Sequence, residues 1–275
     1  MTREFLNIDV PGGRLAAECW TGSQPDLVLL HAGVTDRRSW YETANRLSPG
    51  YALVAYDRRG FGQSVASPEA FSHVRDLESL LDALDLDHVW LVGSSAGGRV
   101  ALDATLTFPE RVAGLVLLAP AISGSPDLES LDPETARLDV LVEAAMEAGH
   151  LDEANRLEAW LWLDGPAGPE SRVSGAVREL FLEMNAIALE SEAESAEDSS
   201  NSDMDAWSRL PEITVPVTVA WGERDVPVLN ERCRQVIDRL PNATGRKLPQ
   251  VAHLPYLEDP DLTAEVIRHA VASGG

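Results

Sequence analysis

Val89-Trp90-Leu91-Val92-Gly93-Ser94-Ser95-Ala96-Gly97-Gly98-Arg99-Val100-Ala101-Leu102 reads as a strand, a sharp turn and a helix. Val89 to Val92 is a continuous apolar run, β-branched at both ends, as a strand buried on both faces requires. The small residues from Gly93 to Gly98 reverse the chain, and Val100, Ala101 and Leu102 resume an apolar helix. Gly93 and Gly97 bracket Ser95 in a Gly-x-Ser-x-Gly pattern. Glycines so placed let the backbone turn tightly enough to lift a strained serine Oγ clear of a sheet.

A serine alcohol is a poor nucleophile at neutral pH, so this turn carries chemistry only if a base and an orienting acid occur elsewhere. Both do. Val215-Pro216-Val217-Thr218-Val219-Ala220-Trp221 reads as a strand and runs into Gly222-Glu223-Arg224-Asp225, and Pro249-Gln250-Val251-Ala252-His253 precedes a last amphipathic helix. The chain order Ser, Asp, His resembles that of the α/β-hydrolases. A second match is Asp57-Arg58-Arg59-Gly60-Phe61-Gly62-Gln63-Ser64, which resembles the superfamily's Asp-x-Arg-Gly-x-Gly-x-Ser turn. The resemblance covers nearly the whole chain.

Composition sets limits on partners. The chain has 275 residues and a formal net charge of -23, with 44% hydrophobic residues. That is ample for a core, while the deficit of Lys and Arg argues against nucleic acid or an anionic membrane surface as a partner. A single lysine, Lys247, occurs among the basic residues, and either a biased genome or a high-salt habitat accounts for this. Cys19 and Cys233 offer no disulfide framework and no metal spacing, and both read as small hydrophobes. The start, Met1-Thr2-Arg3-Glu4-Phe5, lacks an apolar signal region, and no run approaches a membrane span, so a cytoplasmic location is expected. The sequence leaves a homo-oligomer open.

In chain order, Phe5–Val10 and Leu15–Trp20 predict a hairpin, followed by strands at Leu27–Leu30 and Tyr51–Tyr56. Leu77, Leu80, Leu81 and Leu84 place one apolar face on a helix spanning Val74–Leu86. Strands continue at Val112–Leu118, Val215–Trp221 and Ala243–Leu248, with helices at Asn230–Leu240 and Leu262–Ala272. The alternation predicts an α/β fold: a mostly parallel, eight-stranded sheet flanked by helices. From residue 123 to 207 the pattern is helical, as at Leu138–Ala148 and Ala176–Leu189. This segment is expected to be a cap inserted into a core formed by residues 1–122 and 208–275. Glu190 to Asp203 is acidic and serine-rich and reads as a solvated loop.

The resemblance implies a serine hydrolase in which Ser95 is acylated, His253 is the base and Asp225 orients it, with no metal or organic cofactor. Ser94 and Glu223 are the rivals for nucleophile and acid. The oxyanion hole is implied at the backbone N–H of Ala96 and at His31-Ala32-Gly33-Val34, where the superfamily commonly carries His-Gly-x. Ala32 departs from that pattern, leaving Gly33 or Val34 as second donor, with Gly33 favoured because it stands third from His31. His31 itself reads as a residue bracing this loop. Trp160 and Trp162 either line a substrate pocket or pack the cap on the body. The substrate is a small-molecule ester, lactone or related acyl compound. Alternatives are C–C bond hydrolysis, cofactor-free perhydrolase chemistry, and a slow-turnover ligand sensor that retains the triad. A serine at position 95 disfavours dehalogenases and epoxide hydrolases, which need an aspartate there.

Overall fold

Apolar runs become strands wherever both faces can be covered, and this dictates the sheet. A computed structural model describes residues 3–23, 26–66, 71–127, 130–194 and 204–274. An antiparallel hairpin, β1 (Arg3–Val10) and β2 (Gly13–Trp20), opens the chain. Next come β3 (Asp26–Leu30), α1 (Tyr41–Leu47), β4 (Ala52–Tyr56), β5 (Val65–Ala66), α2 (His73–Ala83), β6 (Val89–Ser94), α3 (Ala96–Thr107) and β7 (Val112–Leu118). The spatial order is β1-β2-β4-β3-β6-β7 and onward, with β3, β4, β6 and β7 parallel and the two-residue β5 pairing with β2.

A helical segment interrupts the alternation after β7. It comprises α4 (Pro133–Glu147), α5 (Leu151–Glu158), a π-helical turn (Ala159–Asp164), α6 (Ala176–Glu194) and the short α7 (Ala206–Arg209). The sheet then resumes with β8 (Val217–Gly222), α8 (Pro227–Arg239) and β9 (Ala243–Leu248), both strands parallel to β7, and ends with α9 (Pro255–Glu258) and α10 (Pro260–Gly274). The acidic stretch expected as a loop is helical as far as Glu194, because Glu and Ala sustain α6. Its remainder lies outside the described residues.

Period-two alternation divides the core. Val28, Leu30, Leu91, Leu115 and Leu117 face α2, α3 and α8, where Leu77, Leu80, Val100 and Val236 are buried. Leu27, Leu29, Trp90, Val92, Val116 and Leu118 face α1 and α10, where Leu47, Val266 and Ile267 are buried. Each fully buried Leu or Val contributes about 1.5–3 kcal/mol, so the sheet is the stable frame on which loops are hung. Phe181 and Met184 carry α6 onto the second of these cores, while Leu138, Leu157 and Leu161 form a separate cluster within the helical segment, joined by Val226. Among the described residues no helix is long and apolar enough to cross a membrane.

The helical segment is tied to α3 by a buried polar contact. Ser123 Oγ donates to Asp103 Oδ1 at 2.5 Å and accepts the Ala206 N–H at 3.2 Å. Burial pushes the Asp103 carboxyl up to about 6, against the pull of the Ser123 hydroxyl and Arg99. The ionised form is therefore disfavoured in the folded protein relative to the unfolded chain. Stability from this group is full below the unfolded value, near 4, and is lost as pH rises through about 6. Asp103→Asn keeps an acceptor for Ser123 and removes the charge. It should match the parent in denaturant melts at pH 3.5 and exceed it by about 1–3 kcal/mol at pH 8. A variant less stable at pH 8 would refute this account.

Candidate active site

Ser95 stands between the last residue of β6 and the first of α3, with φ 50° and ψ -116°. A non-glycine residue there is strained by about 1–3 kcal/mol, so the surroundings must hold it. They do: its N–H donates to Leu118 O at 2.9 Å, and its carbonyl accepts from Arg99 N at 3.1 Å and Ala121 N at 3.0 Å. A Cβ on Gly97 would lie 2.3 Å from Leu30 O and 2.6 Å from His31 O, so only glycine lets α3 cross the end of β3 this closely. The turn puts Ser95 at the N-terminus of a twelve-residue helix, where the aligned peptide dipoles favour negative charge.

Asp225 and His253, the expected acid and base, follow β8 and β9, at the same C-terminal end of the parallel strands as Ser95. Asp225 follows β8, and its Oδ1 accepts the Val226 N–H at 2.7 Å. Its Oδ2 lies 2.8 Å from His253 Nδ1, with both side chains almost fully buried. A carboxylate can only accept, so Nδ1 carries the proton and Nε2 of the neutral ring is left as the acceptor. Glu223, the rival acid, points elsewhere: it is exposed and pairs with Lys247 Nζ at 3.0 Å. That pairing holds its carboxyl below the usual range.

The loop after β3 approaches the elbow from the other side. A Cβ placed on Gly33 would sit 3.8 Å from that of Ala96, so the two expected oxyanion donors are neighbours. His31 is buried, with Nδ1 2.7 Å from Ala32 O, and its Nε2 accepts the Arg58 N–H at 3.0 Å. Burial, followed by the Arg58 charge, holds its pKa well below the usual value, and the neutral ring braces the two loops together. Asp57 anchors the Asp-x-Arg-Gly turn by accepting from Arg37 N at 2.8 Å and Gln63 N at 2.7 Å, while Arg59 bonds Asp76 and the Pro11 and Gly12 carbonyls.

The two tryptophans separate. Trp162 O accepts the His253 N–H at 3.2 Å, and its ring centroid lies 4.8 Å from the imidazole at 45°. Trp160 turns away: Nε1 donates to Gly168 O at 2.9 Å, and Arg137 covers its ring at 4.8 Å.

Sequence reasoning missed Tyr256. It is fully buried, stacks on Trp40 at 4.0 Å, and its hydroxyl meets Thr35 Oγ1 at 3.1 Å and the Ala32 N–H at 3.4 Å. Three residues from His253, it ties the histidine loop to the Gly33 loop. The available signal was a tyrosine in an apolar run, since a buried phenol needs a partner.

The strained serine follows β6, and the buried Asp–His pair follows β8 and β9. The profile of the alpha/beta hydrolase fold family matches residues 25–260. The chain belongs to this family. Among relatives of this alpha/beta hydrolase is the 2-hydroxy-6-oxononadienedioate/2-hydroxy-6-oxononatrienedioate hydrolase of Klebsiella pneumoniae. It is 26% identical over 235 residues, covering 82% of this chain and 80% of the relative. The pimeloyl-[acyl-carrier protein] methyl ester esterase of Pectobacterium atrosepticum is 27% identical over 256 residues, covering 90% and 94%. A solved esterase from Thermogutta terrifontis superposes with a TM-score of 0.76 at 25% identity, covering 98% of each chain. This alpha/beta hydrolase is thus an enzyme whose relatives are hydrolases and esterases.

Proposed function

We propose that the protein is a serine hydrolase that cleaves a small-molecule ester or lactone through an acyl-enzyme at Ser95. The observation that carries this reading is the buried Asp225–His253 hydrogen bond of 2.8 Å at the end of the parallel strands that also bears the strained Ser95. Ser95 Oγ attacks the carbonyl carbon while its proton passes to His253 Nε2, and Asp225 stabilises the imidazolium. The tetrahedral oxyanion is held by the N–H groups of Ala96 and Gly33, each worth about 3 kcal/mol at the transition state. The proton on His253 leaves with the alcohol. Water then attacks the acyl carbon, gives its proton to His253, and Ser95 recovers it as the acid departs.

Residues 123–207 act in this reading as a cap over the elbow, excluding water and contacting the part of the substrate that does not react. Trp162, against His253, is the residue placed to touch substrate, and Trp160 is packing. Trp162→Ala should change the ratio of kcat/KM for a bulky aromatic ester to that for the acetate by about tenfold. Trp160→Ala should lower the melting temperature and leave that ratio alone. Equal ratios in both variants and the parent would remove Trp162 from the substrate site.

The Klebsiella relative supports a second reading. A 2-hydroxy-6-oxo acid contains no ester, so a hydrolase acting on one breaks the carbon–carbon bond beside the ketone. A panel of p-nitrophenyl esters, a γ-lactone and 2-hydroxy-6-oxononadienedioate separates the two. The ester reading expects kcat/KM of about 10^4 M−1 s−1 or more on the best ester, with slower loss of the dienedioate. The reverse order would assign carbon–carbon cleavage. Slow turnover of every compound, with a large rise in melting temperature on binding one of them, would assign a ligand sensor instead.

A further inference from the structure

We propose that Arg172 and Glu258 are positioning residues that clamp the His253 loop to the helical segment and so hold the imidazole in register with Ser95. The inference rests on the serine-hydrolase reading and deepens it. Glu258 Oε1 accepts the Ala252 N–H, the peptide immediately before His253, at 2.7 Å. Its other oxygen is bonded by Arg172, a residue of the helical segment. The same guanidinium donates to Asp164 O at 2.6 Å, Leu163 O at 2.8 Å and Gln250 O at 3.2 Å. One side chain therefore joins the end of the π-helical turn to both ends of the histidine loop.

The turn that Arg172 grips is itself rigid and in direct contact with the acid and base loops. Asp164, fully buried, accepts the Ser171 and Val173 N–H groups, both at 2.8 Å, and pairs with Arg178 at 2.7 Å. A Cβ on Gly165 (φ +85°) would lie 2.3 Å from Arg224 O and 3.3 Å from Ala252 Cβ, so the turn rests on the residues preceding Asp225 and His253. With Trp162 O holding the His253 N–H and Glu258 the Ala252 N–H, successive amides of the loop are fixed from the helical segment and from α9. Gln250 lies at φ 64°, a left-handed conformation uncommon for a residue other than glycine. A carboxylate is costly to bury; burial pushes the Glu258 carboxyl up to about 7, and Arg172 is the cation that opposes this.

The test is steady-state kinetics on p-nitrophenyl acetate, too small to sense the rest of a pocket, for Arg172→Met, Arg172→Lys, Glu258→Gln and Glu258→Leu, each with its thermal melt. Arg172→Met and Glu258→Leu should lower kcat about tenfold or more with KM within about twofold. Labelling of Ser95 by a fluorophosphonate should slow by a similar factor, since both need His253 in place. Arg172→Lys, whose ammonium reaches Glu258, and Glu258→Gln, which still accepts the Ala252 N–H, should each recover part of the loss. If Glu258→Leu does not fold, the arginine variants, altered at a partly exposed head group, carry the test alone. Lowered melting temperatures with parental kcat and labelling rate would overturn the proposal, as would a loss confined to KM. Ser95→Ala assayed in parallel separates the two levels. If it stays active the serine-hydrolase reading fails; if it is inactive while Arg172→Met has parental kcat, this inference alone fails.

Discussion

Ser95→Ala lowers kcat on an activated ester by a factor on the order of 10^4 to 10^6, while Ser94→Ala changes it by less than about tenfold. In the proposed mechanism this substitution removes the nucleophile and leaves only oxyanion donation and binding, which are weak catalysts alone. The two serines are adjacent in sequence but differ in placement. Ser94 is the last residue of β6 and fully buried, whereas Ser95 occupies the strained position at the start of α3. Alanine tolerates the Ser95 backbone no worse than serine, so the variant should fold. Initial rates on p-nitrophenyl acetate with a circular-dichroism melt check both points. Turnover that survives Ser95→Ala and vanishes in Ser94→Ala would move the nucleophile.

Asp225→Asn is expected to cost about 10^4-fold in kcat with little change in KM. The asparagine oxygen can still accept the Val226 N–H, which leaves the amide NH2 facing His253 Nδ1 where the carboxylate oxygen was, 2.8 Å away. A donor there favours the tautomer with the proton on Nε2, and such a ring cannot take the proton of Ser95. The imidazolium also loses its buried counter-charge. Glu223→Gln is the control, because Glu223 is exposed beside Lys247 and should be worth less than about twofold. A comparable fall in both variants would mean that the acid has been misassigned.

The sheet was legible because buried parallel strands are apolar on both faces. Val112–Leu118, buried at all but one residue, has the bounds expected from its apolar run, and the largely exposed, more polar Ala243–Leu248 has its expected bounds too. Helix α1 was not, since Tyr41–Leu47 holds too few apolar residues to display a period. The π-helical turn Ala159–Asp164 was equally opaque: Trp-Leu-Trp-Leu is apolar throughout, and its hydrogen-bond pattern sends Trp160 and Trp162 to different neighbours. The resemblance and the offset from the strand end favour Asp225 over Glu223, and the two differ spatially by burial against His253 versus pairing with Lys247. Tyr256, Glu258 and Arg172 act through partners up to 224 residues away. Contacts of that range leave no local mark in a single sequence.

In the proposed mechanism the strained Ser95 is the group that is acylated. Intact-protein mass spectrometry after treatment with a fluorophosphonate, followed by peptide mapping, tests it most directly. One adduct per chain on Ser95, formed faster than any other and absent from Ser95→Ala, is the predicted result. An adduct on Ser94 or elsewhere, or one that persists undiminished in Ser95→Ala, would contradict it.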